Sequence, residues 1–298
     1  MAISQLHRPC KKMIDPSSQR SAEFDQFLLA VEELFRQRLP ERAVEELERL
    51  DLSQYTAPGL ARGLYLALRA EGALFVGRYT EAIELGAEAL SLLAPSSQHR
   101  RVGRTLWNLS KSYSMLGELP EAELRARDAI AAYRRAERRE GVVDGLNELA
   151  KIAFIRSQYP RAAEFLQDAL VLIERDPAKE QQIRSNLGRV KTLAGQLDEA
   201  EKLLKTALDY DLANDLEMSA ARNYMSLGYL RFRQRRFSEA SEAYDRAEKL
   251  IRKRSMLRER LNLAEYRGEL AFEKGDYSQA RETLNAALKE SEELAPDS

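Results

Sequence analysis

Histidine, cysteine and closely set carboxylates are the groups that could carry acid–base, nucleophilic or metal chemistry. This chain has little of the first two. Its histidines are His7 and His99, and Cys10 stands alone. His7 falls in a polar N-terminal stretch and His99 beside a helix break, and no cysteine or acidic cluster stands at metal-ligand spacing from either. A glycine-rich phosphate loop and the Gly-x-Ser-x-Gly elbow are both absent. Neighbouring glutamates such as Glu45, Glu46 and Glu48 are frequent, but on helices such runs are solvated faces. No enzymatic activity is expected, and no cofactor or metal. What the chain does carry is recognition chemistry. Asparagine amides both donate and accept, exposed cations are plentiful, and the single Trp107 sits beside Asn108, off the leucine stripe of its segment.

Such groups act together only if a scaffold lines them up, and the stretch Thr105–Ala122 shows which scaffold. Leu106, Leu109 and Tyr113 are three to four residues apart, the spacing of one helical face. Gly117 can take the left-handed conformation that ends a helix cheaply, and Pro120 suits the first turn of the next. Ala122, Ala126 and Ala129 then share a face small enough for two helix backbones to approach. The unit is a helix–turn–helix hairpin.

The hairpin recurs. Ala82, Ala122, Ala162, Ala200, Ala240 and Ala280 form one column, spaced 40, 40, 38, 40 and 40 residues apart. A second alanine column runs seven residues on, from Ala89 to Ala287. Gly77, Gly117, Ser157, Gly195, Arg235 and Gly275 form the turn column. Thr80, Pro120, Pro160, Asp198, Ser238 and Ser278 start the second helices, and Tyr79, Leu119, Tyr159, Leu197, Phe237 and Tyr277 form an apolar column between. Columns in register at a fixed period mean stacked copies of one supersecondary unit.

Gly77-Arg-Tyr-Thr-Glu-Ala82 and Gly275-Asp-Tyr-Ser-Gln-Ala280, with Leu106 and Leu109, Leu146 and Leu149, and Tyr224, Leu227 and Gly228 in the preceding helices, resemble the tetratricopeptide repeat. The resemblance covers residues 56–294, and a worn copy precedes it around Leu39-Pro-Glu-Arg-Ala43. The period exceeds the usual 34 residues, which resembles the extended repeats of kinesin light chains and of bacterial regulators. It implies an all-α fold, a right-handed solenoid of about seven antiparallel helix hairpins. They are expected near 21–51, 58–94, 98–137, 139–175, 178–213, 215–253 and 255–294. Residues 1–20, with Pro9 and Pro16, are expected to form a flexible basic arm, and residues 21–298 one continuous solenoid.

The resemblance also implies a binding wall. In the family the first helix of each pair lines the concave groove. Its inward positions fall here on Arg104, Trp107, Asn108 and Lys111; on Asp144, Asn147, Glu148 and Lys151; and on Gln182, Ser185, Asn186 and Arg189. Later repeats add Arg222, Met225, Ser226 and Tyr229, then Asn262, Glu265, Tyr266 and Glu269. The expected partner-binding set is Arg104, Trp107, Asn108, Lys111, Asn147, Lys151, Asn186, Arg189, Arg222, Tyr229, Asn262 and Tyr266. The asparagines would hold the backbone of an extended peptide. The excess of cations mid-wall suits a peptide or protein with an acidic centre, whereas Glu265 and Glu269 turn the far end acidic. The ordered lysine, asparagine and arginine set of a chaperone-tail clamp does not fit this wall.

Two functions stand as expectations. One is a non-catalytic protein–protein interaction module that holds a peptide or partner domain. The other is the sensor region of a larger bacterial signalling protein or transcription activator, responding to a peptide or small effector. With 47 Lys plus Arg against 48 Asp plus Glu, the net charge of −1 argues against direct affinity for nucleic acid or anionic membrane. The lack of a long apolar run and of a secretory signal points to the cytoplasm. Too few residues come after the last hairpin to form a capping helix, so the array is expected either to continue in a longer protein or to be covered by a second copy.

Overall fold

The computed structural model describes residues 16–37, 39–50, 59–252 and 257–294. Among them lie fourteen α-helices and no strand: α1 (Pro16–Arg36), α2 (Pro40–Arg49), α3 (Gly59–Phe75), α4 (Tyr79–Leu93), α5 (His99–Met115), α6 (Leu119–Arg135), α7 (Arg139–Ile155), α8 (Tyr159–Leu172), α9 (Pro177–Leu193), α10 (Leu197–Ala213), α11 (Glu217–Arg233), α12 (Phe237–Ile251), α13 (Leu257–Glu273) and α14 (Tyr277–Leu294). Paired in order, they make seven hairpins within a few residues of the expected spans, an all-α solenoid. Helix α1 begins at Pro16, inside the stretch expected to be an arm. A proline at the first helical position gives up an N–H that has no partner there anyway. Residues 1–15, with the basic cluster and Cys10, lie outside the described residues.

The chain divides into two compact units, Met1–Gly141 and Val142–Ser298. In the first, α1, α3 and α5 touch side by side and form one layer, with α2, α4 and α6 packed against it. In the second, α9, α11 and α13 make the equivalent layer, with α8, α10, α12 and α14 against it.

The alanine columns explain the packing. Ala82, Ala122, Ala162, Ala200 and Ala240 are at most 2% exposed, and Ala89, Ala129, Ala169, Ala207 and Ala247 are fully buried. A side chain of one carbon lets adjacent helices approach, while larger residues fill the spaces between: Leu93 and Tyr65 in the first unit, and Leu204, Tyr244 and Ile251 in the second. In the last hairpin Ala280 is buried, but Ala287 is half-buried and Leu284 and Leu288 are exposed.

From α3 onward, the turn within each hairpin is a helix stop of one design. The N–H of Gly117 donates to the carbonyl of Ser114 and that of Glu118 to Tyr113, with Gly117 at φ 79°. Ser157 and Arg235 occupy the same place at φ 57° and 60°, and repeat both bonds without the freedom of glycine. Helix α9 starts differently: the Asp176 carboxylate caps it by accepting from the Lys179 N–H at 2.9 Å.

Candidate functional site

In the first unit, α5 carries four of the expected wall residues. The Arg104 guanidinium reaches across to α3, where its Nε donates to Glu71 at 2.8 Å and its terminal nitrogen to the other carboxylate oxygen. One turn earlier, Arg100 and Arg101 both pair with Glu32 of α1 at 2.7 Å. Trp107 is half-buried, its indole nitrogen is enclosed, and no hydrogen-bond partner for that nitrogen stands among the described residues. The Lys111 ammonium lies 4.5 Å from the centre of the Trp107 ring, a cation–π contact one turn along the helix. Asn108 departs from expectation: at 4% exposure it lies beneath the wall, where a peptide cannot reach it. The cations here are largely spent on intramolecular partners.

In the second unit, Asn147 and Lys151 sit on α7, Asn186 and Arg189 on α9, Arg222 and Tyr229 on α11, and Asn262 and Tyr266 on α13. Asn147 also lies below the wall, at 6% exposure, and its side-chain carbonyl accepts from the Asn186 amide at 2.9 Å. The two asparagines therefore tie α7 to α9. Lys151 pairs with the buried Glu148 at 3.1 Å, and Arg222 donates through Nε and a terminal nitrogen to Glu259 at 2.9 and 2.5 Å. Asn262 is exposed and does not line the cavity that its neighbours form. Below the layer, the Ser185 hydroxyl donates to Asn223 and the Asn223 amide donates to the Asp211 carboxylate at 2.7 Å, joining α9, α11 and α10. Burial pushes the Asp211 carboxyl up from its ordinary range, only partly offset by the Asn223 bond.

Three expected residues do converge. Arg189, Tyr229 and Tyr266 line an open cavity of about 190 Å³ with Phe154 from the end of α7, Thr192 and Leu193 from α9, Ser226 from α11, and Glu265 and Glu269 from α13. The Tyr229 and Tyr266 rings stand 5.3 Å apart, and the Arg189 guanidinium lies 5.4 Å from the centre of Phe154. Behind Tyr266, at 6.0 Å and nearly parallel, is Tyr244, which is 1% exposed. Gly228 makes room for it, since a Cβ there would fall 2.3 Å from the Tyr244 ring. The Tyr244 hydroxyl is buried with no partner among the described residues.

The cavity is open and its charges are unbalanced: Glu265 and Glu269 are both exposed along it. Burial, and then the charge of Glu265 one turn away, raise the Glu269 carboxyl above the usual range. Burial also lifts the Tyr266 and Tyr244 phenols. Phe154, Thr192 and Leu193 were not expected at the site. Phe154 lies seven residues beyond Asn147 on α7, two helical turns on, and that spacing is the only sequence signal for it.

Helices α7, α9, α11 and α13 thus present side chains from successive hairpins to one hollow, the arrangement of a tetratricopeptide-type solenoid. The model of the MalT-like TPR region matches residues 63–292, and the chain belongs to that family. A human relative, the protein O-mannosyl-transferase TMTC1, is 27% identical over 207 residues; the match spans 67% of this chain but only 21% of that protein. Among solved structures, apo RapI superposes with a TM-score of 0.75 at 11% identity, over 92% of this chain and 99% of RapI. The Rap conjugation gene regulator of plasmid pLS20, in complex with the Phr* peptide, gives 0.68 at 16% identity over 97% of this chain and 79% of that one. A Podosopora anserina putative kinesin light chain with TPR-like repeats gives 0.54 at 21% identity over 66% and 97%. These likenesses establish the fold.

Proposed function

We propose that the chain is a non-catalytic recognition module that holds an extended peptide, or an extended segment of a protein partner, against the odd-numbered helices of its second unit. The observation that carries this reading is the cavity shared by Arg189, Tyr229 and Tyr266. It brings rigid aromatic surface into one hollow with charged groups that have no ion pair among the described residues, the composition of an interface hot spot. Binding sites of this family fold are built from successive repeats, and here four helices contribute. A solved regulator of the same fold with a bound Phr* peptide adds support. The expected acidic centre for the partner loses ground: Arg104, Lys151 and Arg222 are already paired with Glu71, Glu148 and Glu259.

The second reading makes the same region the sensing part of a larger regulator. Membership of the MalT-like family and the fold of the pLS20 conjugation regulator favour it. Both readings use the same cavity and differ in the consequence of binding. Affinity capture from the native cell with the intact chain should recover a specific protein or peptide. That species should be lost when Tyr229 and Tyr266 are both replaced by alanine. A partner held equally well by the Tyr229→Ala/Tyr266→Ala chain would place the binding surface elsewhere.

A further inference from the structure

The cavity is chemically two-sided, and its α13 side is the more telling. Glu265 and Glu269 are one turn apart on the same face, line the same hollow, and have no ion pair among the described residues. That is unusual in this chain, where most glutamates near the odd-helix layer find an arginine or lysine. Arg189 lines the cavity too, yet its guanidinium lies over Phe154 and pairs with neither glutamate. Arg233 lies 6.0 Å from the Tyr229 ring. Tyr266 completes the picture: half-buried, edged by the two carboxylates, and backed by the stacked Tyr244.

Two exposed carboxylates one turn apart in the same hollow, one of them partly shielded from water, repel one another unless a cation arrives. An aromatic face next to them attracts the same kind of guest, because its quadrupole is negative over the ring. A neutral or acidic guest would leave both carboxylates short of a partner.

We infer that the cavity is a subsite for one basic side chain, an arginine or a lysine of the bound peptide, seated between Glu265, Glu269 and the Tyr266 ring. The inference rests on the peptide-binding reading and adds to it the chemistry of one position. Arg189, on α9 and over the Phe154 ring, is left for the peptide's backbone carbonyls or an acidic neighbour. The guest is thus a dipolar segment whose cation points to α13. The burial that raises the Glu269 carboxyl works in the same direction, since an incoming cation would restore its ionised form.

The test uses the full chain and a random heptapeptide library displayed on phage, panned against wild type, Glu265→Gln/Glu269→Gln and Glu269→Lys. Circular dichroism melts check that the variants fold as the parent does. The expected result is a family of wild-type binders with Arg or Lys at one fixed position. The glutamine variant should bind a selected peptide at least about tenfold more weakly. Replacing the peptide's basic residue by norleucine should weaken wild-type binding to the same degree and leave the glutamine variant's affinity unchanged. Glu269→Lys should select an acidic residue at that position. Peptides enriched without a fixed basic residue, or losses that simply add in the double variant, would overturn the subsite while leaving peptide binding intact. No enrichment from the library at all would overturn both.

Discussion

The two units build the same hairpin and end up with opposite surfaces. In the first unit the odd-helix layer settles its own charges: Arg104 with Glu71, and Arg100 and Arg101 with Glu32. Its tryptophan, Trp107, is half-buried with Lys111 over its ring. In the second unit, three residues of the same layer, Arg189, Glu265 and Glu269, have no ion pair among the described residues, and they stand around paired tyrosines. The difference shows that wall position alone does not leave a charged side chain without an intramolecular partner. A residue on the inner layer is free to bind only if the adjacent hairpin has not already supplied its partner.

The sharpest way to break this contrast is Trp107→Ala. If the first unit uses its tryptophan for packing, the variant should lose about 3 kcal/mol of stability, near the low end for buried aromatics, and keep its partner affinity. Urea unfolding and binding measured on the same sample decide it. Parent-like unfolding with a collapse of affinity would move the hot spot into the first unit.

Tyr229→Ala is the mirror experiment in the second unit. It should cost more than about 2 kcal/mol of partner affinity and less than that in stability, because the ring is only half-buried. An affinity within twofold of wild type, by isothermal titration calorimetry, would mean the paired tyrosines are packing rather than recognition.

The repeat itself was open to reading from sequence, because period fixes packing. An alanine every 40 residues can be kept only where a larger side chain would collide, and the structure buries nearly every one of them. The site was open only in part, and the reason is angular. Successive residues of an α-helix turn by about 100°, so an error of one position carries a side chain from the wall into the interior. Asn108 and Asn147 went that way and are buried, whereas Arg189, Tyr229 and Tyr266 line the cavity. The state of the charges was hidden for a different reason. Whether Arg104 or Arg222 is free depends on Glu71 or Glu259, which lie 33 and 37 residues away in sequence and one helix away in space.

Acid gives a third means of separating the units. In the second unit the Glu201 carboxylate accepts from both arms of Arg231, at 2.6 and 2.7 Å, and from Lys205. The Arg231 bonds hold its carboxyl far below the ordinary range, despite partial burial. A depressed folded-state value means that this stabilisation is complete above the unfolded value of about 4.3 and is lost as pH falls from there toward the folded value. Glu201→Gln should therefore destabilise the chain by about 1–3 kcal/mol at pH 7, and by progressively less below pH of about 4. Melting curves for both proteins across that range should converge in acid. A gap that persists at low pH would mean the glutamine is disturbing packing rather than losing an ion pair.

The smallest effect lies in the turns, where both units use glycine stops but the second departs from glycine twice. In the first unit the stops within the α3–α4 and α5–α6 hairpins are glycines, Gly77 and Gly117. In the second unit Gly195 and Gly275 serve the α9–α10 and α13–α14 hairpins in the same way, but Ser157 and Arg235 hold the left-handed conformation in the other two. For a residue with a Cβ that conformation costs roughly 1–2 kcal/mol, and glycine avoids it while giving up roughly 0.5–1 kcal/mol through a more flexible unfolded chain. Arg235 has one compensation, an ion pair with Glu273 at 3.6 Å, but its side chain is 77% exposed and such pairs are worth little. Ser157→Gly and Arg235→Gly should thus each raise stability, by about 0.5–1 kcal/mol. The reverse change in the first unit, Gly117→Ser, should lower it by a similar amount. If Arg235→Gly instead destabilises the chain, the Glu273 contact outweighs backbone strain, and that turn is held by a side chain rather than by conformation.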